Sequence, residues 1–89
     1  MTQAIELAMS DRDTYVALAQ SYYYSDQTAQ AIEAWQKAAP LAKDGEVYLN
    51  LATALWQEDR IPEAKQAAKS ALEKGVKKPE TAKKIIALP

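Results

Sequence analysis

The sequence predicts an all-α fold in which pairs of antiparallel helices follow one another along the chain. Ala occurs 18 times in the 89 residues and Gly only twice, and Ala is the residue that costs the least free energy in a helix. Apolar residues recur at the 3.6-residue period of amphipathic helices. A shift of the sequence by 33 positions against itself also aligns similar residues, which indicates a repeated unit of that length. The aligned pairs are Tyr15 with Tyr48, Leu18 with Leu51, Ala19 with Ala52, Asp26 with Asp59, Ala31 with Ala64, Ala34 with Ala67, and Ala38 with Ala71.

The repeat divides the chain into four parts. The predicted parts are residues 1–10, the tail of a preceding repeat helix; residues 11–44, the first repeat; residues 45–78, the second repeat; and residues 79–89, a C-terminal capping helix. The first assignment depends on the similarity of segment 2–8 to segment 36–42. For the last part, the alternative to a capping helix is a frayed tail.

Two helices are expected in the first repeat. Ser10 and Asp13 have the spacing of a capping box at the start of the first helix. The partner helix is expected to begin near Ala29 and to end or kink around Ala39, because Pro40 has no backbone N–H to donate within a helix. The apolar stripes of the two helices are Tyr15, Leu18, Ala19 and Tyr22, and Ala31, Ala34, Trp35 and Ala38.

The second repeat is expected to form the same pair of helices, followed by a fifth. Asp44 is the predicted N-cap of the first helix, Pro62 suits the first position of its partner, and Gly75 is a natural helix stop. A short fifth helix should begin at Pro79 and Glu80. The apolar stripes of the pair are Tyr48, Leu51, Ala52 and Leu55, and Ala64, Ala67, Ala68 and Ala71; the fifth helix should turn Ala82, Ile85 and Ile86 inward and Lys83 and Lys84 outward.

These stripes resemble the tetratricopeptide repeat (TPR) family, whose pattern is an aromatic residue, Leu, a small residue and a second aromatic, followed by Ala and a third aromatic. Tyr15, Leu18, Ala19 and Tyr22 match the first half of this pattern, and the segment from Ala31 to Trp35 matches the second half. The second repeat matches with weaker aromatics. The resemblance implies a right-handed superhelix of about two and a half repeats that binds a peptide or another protein and performs no catalysis.

The segments 39–48 and 71–79 also resemble the C-terminal repeats of proteobacterial TPR proteins associated with TonB-type transport systems. This narrower resemblance implies a periplasmic protein, since those relatives are exported. Otherwise the cytoplasm is expected, and the sequence leaves the compartment open.

In the TPR family, the first helices of successive repeats line a concave face. The resemblance therefore implies that this chain binds its partner through the helix faces opposite to the packing stripes, and we call this set of residues the binding strip. We expect Tyr23 and Trp56 to anchor a ligand, because large aromatic side chains bury much area at low entropic cost. The alternative is that either ring packs as core. The binding strip consists of Val16, Gln20, Tyr23, Tyr24, Leu49, Asn50, Thr53, Trp56 and Gln57.

The composition disfavours several other functions. The chain has no Cys and no His, so it lacks the usual nucleophile, general base and metal ligands. We therefore expect no enzyme activity, no cofactor and no metal. The apolar runs are too short to span a bilayer. A Lys-rich C-terminal segment carries a net charge of +4 over residues 61–89, but nucleic-acid binding is not expected, because the segment lacks interleaved aromatics and the whole chain has a net charge of −1.

Self-association is the strongest alternative function. If an N-terminal repeat is missing, the exposed edge of the first repeat, together with Ile5, Leu7 and Met9, would pack on a second copy and form a homodimer. The chain would then be a structural segment of a larger scaffold.

Overall fold

In the computed structural model, residues 10–89 are described, and this part of the chain folds into five α-helices without a strand. The helices are α1 (Asp11–Tyr24), α2 (Thr28–Ala38), α3 (Glu46–Gln57), α4 (Ile61–Lys74) and α5 (Glu80–Ile86), and a 3₁₀ turn, Ala39–Leu41, extends α2. The predicted all-α class is confirmed. The expected helix tail at residues 1–10, including Ile5, Leu7 and Met9, lies outside the described residues except for Ser10.

Local signals set most helix boundaries. The Ser10 hydroxyl accepts the backbone N–H of Asp13 at 3.1 Å and caps α1, as predicted. The Asp13 carboxylate accepts the guanidinium N–H of Arg12 at 2.9 Å, so the structure shows only the Ser10 half of the capping box. α2 ends directly before the turn that contains Pro40, and α4 ends at Gly75, whose φ of 97° suits glycine.

Three predicted starts shift by one position. α2 begins at Thr28, and α4 begins at Ile61, which places Pro62 in the second helical position instead of the first. Gly45, not Asp44, is the N-cap residue of α3. Asp44 still contributes, because its carboxylate accepts the backbone N–H of Glu46 at 3.1 Å.

The helices α1 and α3 end in the same way. Asp26 and Asp59, which are 33 positions apart, both adopt the left-handed conformation, with φ of 64° and 61°. The residue after each Asp donates its N–H at 2.8 Å to a carbonyl five residues earlier, of Tyr22 in the first repeat and Leu55 in the second. This is the Schellman pattern of a helix C-terminus. It turns the chain back sharply, so that α2 packs against α1 and α4 against α3 as two helix hairpins.

Alanine forms much of the core between the hairpins. Small side chains let neighbouring helices approach closely, and α2 contacts α3 while α5 packs on α4 and α3. Ile32, Leu55 and Ile85 are the largest fully buried side chains. The Ala residues with no solvent-exposed surface are Ala19, Ala31, Ala38, Ala39, Ala52, Ala54, Ala64, Ala68, Ala71 and Ala82.

The start of α3 is clamped by the end of α4. The N–H of Gly45 donates to the carbonyl of Gly75 at 2.8 Å, and a Cβ atom on Gly45 would overlap the backbone carbonyl of Ala71. Lys74 reaches across the same junction and donates to the carbonyl of Ala42 at 2.7 Å. These contacts fix the second hairpin against the turn that leaves the first, and so fix how α1 and α3 lie relative to each other.

Candidate functional site

A groove lies where α1, α2 and α3 meet. Its volume is about 170 Å³. It is lined by Gln20, Tyr23 and Tyr24 of α1, Trp35 of α2, and Asn50 and Thr53 of α3. Five of the nine residues of the binding strip thus share one surface depression, although the two groups are separated by 26 or more positions in the sequence.

Tyr23 joins α1 to α3 at one side of this groove. Its hydroxyl donates to the Oε1 atom of Gln57 at 2.9 Å, and its ring centroid lies 5.5 Å from that of Trp35. The side chain is half-buried and packs against the core. Tyr24, beside it, is 83% exposed, so the two adjacent tyrosines have different environments.

A second hollow continues the surface along α3. It has a volume of about 300 Å³ and is lined by Thr53, Trp56 and Gln57. The Trp56 ring is half-buried against the core, and the Nζ atom of Lys84 lies 6.0 Å from its centroid, within cation–π range. Trp56 and Tyr23 therefore each pack on the core with one side and line a surface depression with the other.

Val16 and Leu49 lie elsewhere in the binding strip. Both are half-buried and pack against the core, and neither lines the groove or the hollow. The sequence interpretation treated them as apolar contact surface. Their packing against neighbouring helices leaves Gln20, Asn50 and Thr53 as the groove residues in the middle of the strip.

Trp35 is a groove residue that the sequence interpretation missed. The sequence places it in the packing stripe of the partner helix and at the third aromatic position of the TPR pattern, and it is indeed 4% exposed. Its ring nevertheless reaches the groove, and its Nε1–H has no hydrogen-bond acceptor within residues 10–89. The sequence signal that could have indicated this is the size of the Trp35 side chain. The equivalent position 33 residues later is Ala68, and a ring among alanines must extend toward a neighbouring helix.

Charged side chains lie around the groove and not in it. Among the C-terminal lysines, Lys74 turns inward to the Ala42 carbonyl and stands over the Tyr48 ring at 5.6 Å, and Lys84 covers Trp56. Further away, Arg60 donates two hydrogen bonds to Glu63 at the start of α4, which lower the pKa of that carboxyl. The groove thus offers amide, hydroxyl and indole groups and no formal charge.

Each hairpin carries a groove at the equivalent place, and the leucine that lines it has a different exposed fraction in the two hairpins. The groove of the first hairpin is lined by Tyr15, Leu18, Tyr22, Gln30, Glu33, Ala34 and Lys37, and the residues 33 positions later line the other groove together with Gln36. Leu51 is 6% exposed, because α2 packs beside it. Its counterpart Leu18 is 42% exposed, since no described helix packs beside α1 in the same way.

No helix in the described range is long and apolar enough to cross a bilayer, and no metal-binding cluster of three acidic, His or Cys residues occurs between residues 10 and 89. Comparison of the chain with protein-family models, curated proteins and solved structures found no match.

Proposed function

We propose that the chain is a TPR-type interaction module that binds a peptide or an extended protein segment and performs no catalysis. In this proposal the two hairpins belong to a right-handed superhelix, and the ligand lies along the groove and the adjacent hollow. The repeated Schellman ends and the equivalent hairpin grooves support a common repeat geometry.

The observation that carries the proposal is the convergence of distant residues on one surface. Gln20, Tyr23 and Tyr24 come from α1, and Asn50 and Thr53 come from α3, yet they line the same groove. The hollow at Trp56 extends it. A partly apolar surface with aromatic rings and neutral hydrogen-bonding groups suits a peptide, which carries both side chains and backbone amides.

Affinity capture with exposed groove variants tests this proposal. Tyr24→Glu and Asn50→Glu each place a charge in the groove without removing buried surface, because both side chains are exposed. We expect each variant to weaken binding of a partner captured from the native host by about ten-fold or more. The measurement is a titration of the captured partner by calorimetry, with circular dichroism to verify folding.

Leu41→Glu is the matched control. Leu41 is 50% exposed and lines a different depression with Ser10 and Lys43, so the same charge is added outside the groove. We expect the control to bind the partner as tightly as the wild type does, and the two groove variants to bind it more weakly. Equal affinity of all three variants and the wild type would mean that the partner binds elsewhere.

Self-association is a second candidate function, and the exposure of Leu18 favours it. The first hairpin leaves Leu18 exposed at the place where Leu51 of the second hairpin is buried beside α2, so a second copy that packs there would bury Leu18 in the same way. In this case the chain acts as a segment of a scaffold.

A further inference from the structure

A buried donor without an acceptor lies beside the groove. Trp35 is 4% exposed, and its Nε1–H has no acceptor among residues 10–89. Nearly all buried donors in folded proteins are paired, because an unpaired one has lost its hydrogen bond to water without replacement. Since Trp35 also lines the groove, a ligand in the groove is placed to supply the missing acceptor.

The lining of the groove selects the kind of acceptor. None of its six residues is charged. A carboxylate that enters it would lose hydration without gaining a cation, which is costly, whereas an amide carbonyl loses much less. The side-chain amides of Gln20 and Asn50 supply both donors and acceptors and therefore match the N–H and C=O groups of an amide ligand.

The size of the groove fits one such group. Its volume of about 170 Å³ is below the range of roughly 300–1,000 Å³ that is usual for small-molecule sites. The volume therefore suits a single side chain or one backbone amide. The Nε1 atom lies beneath the surface, so the side chains that line the groove have to shift before a ligand reaches it.

We propose that the groove receives an uncharged amide carbonyl, from the backbone or from an Asn or Gln side chain of a bound peptide, and that the Trp35 indole N–H donates to it. This inference rests on the proposed function and names the chemical class of ligand that this function requires.

Nuclear magnetic resonance of the whole chain tests the inference with N-methylacetamide as the probe. The chain has two Trp residues, so two indole N–H signals are expected, and Trp56→Phe assigns them. N-methylacetamide should move the Trp35 signal downfield along a saturable curve. Sodium acetate, similar in size but charged, should bind about ten-fold more weakly.

The variant Trp35→Phe keeps the ring and removes the donor. It should weaken N-methylacetamide binding by about five-fold, followed through the side-chain amide of Asn50. A Trp35 signal that stays unmoved while the Asn50 amide responds would overturn the role of Trp35. Acetate binding as tight as that of the amide would overturn the uncharged class.

These outcomes are separable from failure of the proposed function. If Tyr24→Glu abolishes partner binding but the Trp35 signal does not respond to the amide, the interaction module stands and the acceptor site is wrong. If the signal responds but Tyr24→Glu retains the partner, the acceptor site is supported and the partner binds elsewhere.

Discussion

Asp59 and its counterpart Asp26 adopt backbone conformations that favour glycine. Both have φ near 60°, in the left-handed region, where the Cβ atom of an L-residue approaches the following carbonyl oxygen. Asp and Asn tolerate this region better than other residues. Neither Asp is the N-cap residue of the helix that follows, since Gln27 precedes α2 and Arg60 precedes α4 in that role. The backbone conformation, more than the carboxylate, therefore determines which residue types are tolerated at these two positions.

We predict that Asp59→Gly is more stable than Asp59→Ala by about 1 kcal/mol, because glycine adopts positive φ without the Cβ penalty. The free energy of unfolding from urea titration measures this difference. Glu58 is the control position, since its φ is −89°. There the order should reverse, with Glu58→Ala more stable than Glu58→Gly; the same order at both positions would show that backbone conformation is not the cause.

At the scale of elements, Lys74 connects the end of α4 with the end of α2. Its Nζ atom donates to the carbonyl of Ala42 at 2.7 Å and lies 3.4 Å from that of Ala39, both in the turn that follows α2. Carbonyls at a helix C-terminus have no partner within the helix, and a cation there satisfies them and opposes the negative end of the helix dipole. Lys74 is thus the last residue of α4, and its side chain caps the turn that follows α2.

Lys74→Met should lower the free energy of unfolding by about 1 kcal/mol, since methionine keeps the apolar stem and removes the donor. For a domain of this size, that loss lowers Tm by about 4–8 °C. Differential scanning calorimetry measures it. Lys69→Met, on the exposed face of the same helix, should change Tm much less. Equal changes for the two variants would show that the loss of charge, and not the capping bond, is responsible.

The sequence predicted those features that neighbouring residues determine. Ser10, Pro40 and Gly75 act on their own backbone or on residues within a turn, so the cap, the end of α2 and the stop of α4 were readable. The contacts of Trp35 and Lys74 could not be predicted from the sequence, because they depend on how separate helices pack. A ring that reaches a groove beside another helix, and an amine that bonds 32 residues away, leave no periodic signal.

At the scale of the whole molecule, the two hairpins differ in what covers them. Leu51 is buried where α2 packs beside the second hairpin, and Leu18 is 42% exposed at the equivalent place on the first. On the second hairpin the equivalent place packs beside a helix, so the Leu18 side of the first hairpin has a surface of the kind that a helix covers. This asymmetry supports the proposal of self-association and directs its test to Leu18.

If the chain self-associates through this groove, Leu18→Glu should shift it to the 9.8 kDa monomer at concentrations where the wild type has a larger mass. Sedimentation equilibrium over a range of concentrations measures the mass. Ala17→Glu, at the exposed neighbouring position of α1, should behave as the wild type. A wild type that is monomeric at every concentration would rule out self-association of this chain.

The clamp between the hairpins also bears on how the protein is made. The carbonyls of Ala39 and Ala42 leave the ribosome 35 and 32 residues ahead of the lysine that bonds them, and Gly45 precedes its partner Gly75. Until the end of α4 is available, the carbonyl of Ala42 and the N–H of Gly45 lack these partners. The junction between the hairpins can therefore form only after residues 74 and 75 have left the ribosome, later than every residue of the first hairpin.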